Sequence, residues 1–128
     1  MHIEHIAIWA DNLEVLRTFY TRYFALTYSP PYVNRAKGFT SCFLTFDEGG
    51  ARIELMHVAG LGGAAGGGPM RGLAHLAISE GSPEAVRALS RRLQADGHTL
   101  LSGPRTTGDG YYESVVADPE GNRIEITV

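Results

Sequence analysis

The segment Gly49-Gly50-Ala51-Arg52-Ile53-Glu54-Leu55 returns near the end of the chain as Glu120-Gly121-Asn122-Arg123-Ile124-Glu125-Ile126, a turn followed by a strand in both places. Upstream of each copy stands a second match, His5-Ile6-Ala7-Ile8 and His75-Leu76-Ala77-Ile78. The histidines are 70 residues apart and the glutamates 71, so one unit is written twice. This duplication restricts the fold to two equivalent modules. A chain of 128 residues with 44% apolar side chains has room for one domain built from them, not for two independent ones.

Residues 60–69, Gly-Leu-Gly-Gly-Ala-Ala-Gly-Gly-Gly-Pro, read as a flexible linker between module one (1–59) and module two (70–128). In module one a strand is expected over 3–9. Asp11 is placed to cap a helix, with Glu14 in the capping-box position and Leu13, Leu16, Phe19, Tyr20 and Tyr23 at helical spacing up to about Phe24. A loop holding Pro30 and Pro31 then leads to strands at about 40–46 and 51–57. Module two repeats the order: a strand at 73–79, a helix with Ser82 as N-cap, Pro83 at its first position and Gly97 at its end, then strands at 98–101, 111–117 and 122–128. Both modules read as βαβββ, an α+β fold. Each sheet has one face under its helix and one free, so two modules are expected to pair as a pseudo-symmetric half-barrel around a cavity.

Residues i and i+2 share a face of a strand. His5, Glu54, His75 and Glu125 alternate with Ile6, Ile8, Ile53, Leu55, Leu76, Ile78, Ile124 and Ile126, which must pack under the helices. The two histidines and two glutamates are therefore expected on the cavity face, where a lone carboxylate is costly to bury unless it binds a cation or finds partners. One divalent transition metal (Zn, Ni, Co, Fe or Mn), held by all four, resolves that cost and leaves room for substrate oxygens. A metal gripping two adjacent substrate oxygens stabilises an enediolate, and a glutamate beside it can take the proton.

The formal charge of −3, a pI near 5.9 and the lack of a Lys/Arg run give no footprint for nucleic acid or an anionic membrane, which leaves a small-molecule partner. A single Cys42, an N-terminus (Met1-His2-Ile3-Glu4) without a basic stretch before an apolar one, and the lack of a membrane-length apolar run point to the cytoplasm or another reducing compartment.

The segments His5-Ile6-Ala7-Ile8, Arg52-Ile53-Glu54-Leu55-Met56, Gly72-Leu73-Ala74-His75-Leu76-Ala77 and Asp118-Pro119-Glu120-Gly121-Asn122-Arg123-Ile124-Glu125 resemble the vicinal oxygen chelate (glyoxalase/bleomycin resistance/dioxygenase) superfamily over nearly the whole chain. The order His, Glu, His, Glu is similar to glyoxalase I. The resemblance implies a metal-dependent lyase or isomerase acting on a hemithioacetal or another 2-oxo or 2-hydroxy compound, with Glu125 and Glu54 as bases and Glu125 favoured. Fosfomycin-modifying thioltransferases and extradiol dioxygenases use three ligands, and methylmalonyl-CoA epimerase typically has Gln at the place of Glu54. An epimerase remains an alternative, as does a metal-free, ligand-sequestering protein of the bleomycin-resistance kind.

Where glyoxalase I usually carries an Arg and an Asn that hold glutathione, this chain has Trp9 and Val58. Trp9 and Met56 are expected to form an apolar wall. Aligning Asp47 with Asp118 puts Tyr112 and Ser114 on the cavity face, with Tyr112 as a substrate contact. His57 is expected to face away, Arg35 and Lys37 to lie in a solvated loop, and residues 103–110 to form a mobile loop able to close over substrate. Two βαβββ modules can pair within one chain or exchange between chains, and a homodimer is expected; if they exchange, the resemblance implies that His5 and Glu54 of one chain meet His75 and Glu125 of the other.

Overall fold

In the computed structural model, which describes residues 1–63 and 72–128, the two Arg-Ile-Glu copies lie on equivalent strands of two separate sheets. The chain divides into units Met1–Gly63 and Ala64–Val128, and most of the expected linker, 64–69, falls outside the described residues. Unit one runs β1 (His5–Trp9), α1 (Leu13–Phe24), β2 (Thr27–Tyr28), β3 (Tyr32–Asn34), a 3-10 turn (Arg35–Lys37), β4 (Phe39–Thr45) and β5 (Arg52–Val58). Unit two runs β6 (Leu76–Ser79), α2 (Pro83–Ala95), β7 (Leu100–Thr106), β8 (Tyr112–Ala117) and β9 (Arg123–Thr127).

Each sheet pairs its first strand parallel to its last. The orders are β1-β5-β4-β2, with β3 also on β4, and β6-β9-β8-β7. The α+β architecture of two repeated modules is therefore as the sequence implies. In unit one the helix stripe of Leu16, Phe19, Tyr20, Tyr23 and Phe24 is buried together with Leu44, Ile53 and Leu55. In unit two Val86, Leu89 and Leu93 are buried with Val116, Ile124 and Ile126. Burying one such side chain contributes about 1.5–3 kcal/mol, so these stripes fix which face of each sheet turns away from its helix.

The second helix starts and stops as its residues dictate. Ser82 accepts a hydrogen bond from the Ala85 amide at 3.2 Å, and Gly97, at φ 88°, turns the chain so that the His98 amide reaches the Leu93 carbonyl at 2.9 Å. The first helix departs by one residue: its cap is Asn12, not Asp11, with the amide oxygen accepting from the Glu14 and Val15 amides at 3.1 Å each. Glu14 thus sits too early for a capping box and pairs with Arg17 instead.

Two loops expected from prolines contain strand. Pro30 and Pro31 divide an edge strand into β2 and β3, because two consecutive residues without N–H donors cannot continue a ladder. Residues 103–106, expected in a mobile loop, extend β7; as an edge strand with shifted register it tolerates Pro104. The remaining turn is tied down, with the Thr107 amide donating to Tyr111 O at 2.8 Å and the Tyr111 amide to Thr107 Oγ1 at 3.1 Å.

Candidate functional site

Pairing of β1 with β5 sets Ala7 beside Glu54 and Trp9 beside Met56, while pairing of β6 with β9 sets Ala77 beside Glu125. His5 and Glu54 come together on the face of the first sheet away from α1, with His5 Nε2 3.7 Å from Glu54 Oε2. His75 and Glu125 do the same in the second unit, Nε2 to Oε2 3.5 Å. Both gaps exceed a hydrogen bond. They are near the roughly 3.4 Å that separates two ligand atoms at tetrahedral angles on an ion about 2.0–2.2 Å from each. Donor type fits as well, since imidazole nitrogen and carboxylate oxygen both suit a transition ion. Among the described residues no group of three or more His, Cys, Asp or Glu side chains forms a metal-holding cluster, so each unit presents a pair.

The surroundings of the two pairs differ, and sequence reasoning missed them. His5 Nδ1 is bonded to the Glu4 carboxylate, which also receives the Arg52 guanidinium. The hydrogen bond from His5, joined by that of Arg52, holds the Glu4 carboxyl below its ordinary range. The Arg52 guanidinium lies 4.0 Å over the Phe43 ring, and Phe43 meets the His5 ring edge-on at 5.5 Å.

In unit two the neighbours act on the glutamate. Glu113, directly opposite Arg105 in the β7/β8 ladder, accepts from the guanidinium at 3.1 Å, and Arg105 also donates to Ser102 at 2.6 Å. Glu113 and Glu125 share a face. Burial first, and then the Glu113 carboxylate, push the Glu125 pKa above the ordinary carboxylate value, against the pull of His75.

Tyr112 and Ser114 lie on the helix side, which corrects the expectation for both. Tyr112 Oη accepts from Arg87 on α2 at 3.0 Å, and Ser114 Oγ bonds Ser90 Oγ on α2 at 2.7 Å. The error has a physical source. Eight residues separate the paired Leu44 and Ile53, but only seven separate the paired Val116 and Ile124. An ungapped alignment of the repeats therefore slips by one residue before the turn, and a one-residue slip changes faces. Counting from the strand pairing, Val115 and not Ser114 matches Phe43, and Glu113 matches Ser41.

Trp9 and Met56 are neighbours in register, with Trp9 half exposed and edge-on to Phe39 at a centroid distance of 6.3 Å. His57 donates from Nδ1 to the Ala10 carbonyl at 2.9 Å, a structural role as expected. Arg35 and Lys37 are exposed on the 3-10 turn, whose cap is Asn34.

Known structures share this arrangement of elements. Maize (Zea mays) glyoxalase I superposes with a TM-score of 0.81 at 21% identity, covering 98% of this chain and 44% of that one, so the chain spans less than half the length of the maize protein. A glyoxylase/bleomycin resistance protein/dioxygenase domain from Frankia sp. EAN1pec gives a TM-score of 0.84 at 16% identity, covering 100% and 97%. The trypanothione-dependent glyoxalase I of Leishmania major gives 0.75 at 19%, covering 99% and 86%. Among proteins of curated function, none matches the chain by sequence. These likenesses speak to the fold, and the lineage follows from the sequence itself: residues 2–126 match the family model, and the chain belongs to the Glyoxalase/Bleomycin resistance protein/Dioxygenase superfamily.

Proposed function

We propose that the chain is a metal-dependent lyase or isomerase of the glyoxalase I type, in which His5, Glu54, His75 and Glu125 hold one divalent transition ion. The carrying observation is the recurrence, in each unit, of a His Nε2 and a Glu Oε2 at 3.7 and 3.5 Å on the face away from the helix. The chemistry such an ion supplies is Lewis-acid stabilisation of negative charge on adjacent substrate oxygens. The chain's own contribution is the proton transfer. Burial and the Glu113 carboxylate raise the Glu125 pKa above the ordinary carboxylate value, which strengthens it as a base, and Glu54 can serve on the opposite side of the substrate carbon.

Trp9 and Met56 offer an apolar surface beside Glu54, and Trp9 and Val58 stand where glutathione-specific relatives are expected to present polar groups. This favours a small 2-oxo or 2-hydroxy compound, or a thiol adduct with an apolar portion. The half-exposed Trp9 ring also favours a second reading, a metal-free protein that sequesters an aromatic ligand.

Metal uptake separates the two. Protein purified without chelators is expected to bind one equivalent of Zn²⁺, Co²⁺ or Ni²⁺ and to lose binding in His5→Ala and His75→Ala. Less than about a tenth of an equivalent, with none taken up on titration, sinks the metalloenzyme reading. The same reading extends to a homodimer, and a sedimentation result of a stable monomer carrying one ion excludes a site shared between chains.

A further inference from the structure

Unit one carries a brace around its histidine. An ionised carboxylate only accepts hydrogen bonds, so in the contact between His5 Nδ1 and Glu4 the imidazole must donate, and Nδ1 holds the proton. In neutral imidazole this leaves the lone pair on Nε2, the nitrogen facing Glu54. Glu4 is itself fixed at both ends by Arg52: its carbonyl accepts from the Arg52 amide at 3.0 Å, and its carboxylate accepts from the guanidinium. That guanidinium stacks on Phe43, and Phe43 packs on the His5 ring, so four side chains close into a loop.

Among the described residues unit two has no equivalent. The residue before His75 is Ala74, and Val115 stands opposite Glu125 where Phe43 stands opposite Glu54. Neither an acid next to the histidine in sequence nor an aromatic ring across the strand is available there.

We propose that Glu4 is a positioning residue which, anchored by Arg52 and Phe43, fixes the Nδ1-protonated tautomer of His5 and aims Nε2 at the ion, so that unit one is the more strongly binding half of the site. The inference rests on the metal-site reading above. Partners of this kind orient a ligating imidazole and raise its basicity, and their loss typically weakens metal binding about 10–100-fold.

The test compares wild type, Glu4→Gln and His5→Ala by Zn²⁺ titration of the metal-free full chain, together with ¹⁵N NMR of the imidazole nitrogens in the metal-free state. Glu4 is exposed, so the substitution is compatible with folding. Expected are a roughly 10–100-fold weaker Zn²⁺ affinity in Glu4→Gln, and a His5 signal that moves from a protonated Nδ1 toward a mixture of tautomers. If His5→Ala loses Zn²⁺ while Glu4→Gln binds within about twofold of wild type, the Glu4 proposal is overturned and the metal site stands. If Glu4→Gln loses affinity with an unchanged His5 tautomer, Glu4 acts only as a charge and the positioning role is overturned. If His5→Ala binds Zn²⁺ as wild type does, the metal-site reading itself fails and takes this inference with it.

Discussion

The two units place the same His–Glu pair at the same point of the same topology and then surround it in opposite ways. In unit one the neighbouring charges, Glu4 and Arg52, brace the histidine. In unit two they, Glu113 and Arg105, crowd the glutamate. Duplication explains the shared pair, and the divergence lies in the residues one step away: Glu4 against Ala74, Phe43 against Val115, Ser41 against Glu113. A duplicated site can in this way divide two tasks that a single ligand pair would have to combine, with one half holding an ion firmly and the other keeping a carboxylate ready to take a proton.

The largest effect should come from breaking that division at its chemical end. With metal saturating, Glu125→Gln is expected to lower turnover of a hemithioacetal substrate by about 10²–10⁴-fold, the usual contribution of a positioned general base. Glu54→Gln should lose less, because Ser41 and not a second carboxylate stands at the matching place. Steady-state kinetics on the two variants decide the matter. Equal losses would mean that the halves share the proton chemistry and that Glu113 has no bearing on it.

Next in size is a test of whether the helix-facing sides are as alike as the sheets suggest. Leu55 and Ile126 are both fully buried, and truncating either to Ala is expected to cost about 2–5 kcal/mol through lost transfer energy and the cavity left behind. Denaturant titration measures it. Similar losses in both variants support two equivalent cores, whereas a cost below about 1 kcal/mol in one of them would mark a core able to collapse around the gap.

The second core is not purely apolar, and this gives a smaller, sharper contrast. Ser90 donates to the Val86 carbonyl at 2.6 Å and meets Ser114 at 2.7 Å, both serines being buried, while Cys42 fills the place in unit one that Ser114 fills in unit two. Ser90→Ala strands the Ser114 hydroxyl and should cost roughly 1–3 kcal/mol, whereas removing both hydroxyls together should be nearly neutral. A double variant as unstable as the single one, in thermal melts, would show that lost packing and not the orphaned hydroxyl sets the cost.

What could be read from the sequence divides along the same line. The alternation of Ile53 and Leu55 with Glu54, and of Ile124 and Ile126 with Glu125, carries the strand faces outright, because burial under a helix leaves no other solution with a period of two. The α2 boundaries follow from Ser82, Pro83 and Gly97, whose chemistry is local. The bracing residues were not legible in the same way. Glu4 and Arg52 are 48 residues apart and meet only through strand pairing. Glu113 was hidden by one residue of difference in turn length, which sent Tyr112 and Ser114 to the wrong face. The edge strands β2 and β3 and the later part of β7 escaped because Pro30, Pro31 and Pro104 read as loop, although an edge needs no N–H on its open side.

The smallest predicted effect concerns the position just after each first strand. The Ala10 amide donates to Met56 O and the Glu80 amide to Thr127 O, both at 2.7 Å, so the two residues are structural equivalents. Ala10 is fully buried, and Glu80 carries a carboxyl into the partly buried setting of its counterpart. Burial raises the Glu80 pKa above its ordinary value of 4.5. The folded state therefore binds this proton more tightly than the unfolded state does. The stabilising contribution is fully present below the unfolded value and is lost as the pH rises through the higher folded one, where the buried group must ionise. Glu80→Ala copies unit one into unit two and removes that pH-dependent loss. Its Tm relative to wild type should thus climb between pH 4 and pH 7, and a Tm difference that stays flat over this range, measured in buffers of matched ionic strength, would show that the Glu80 carboxylate ionises there at no cost to the fold.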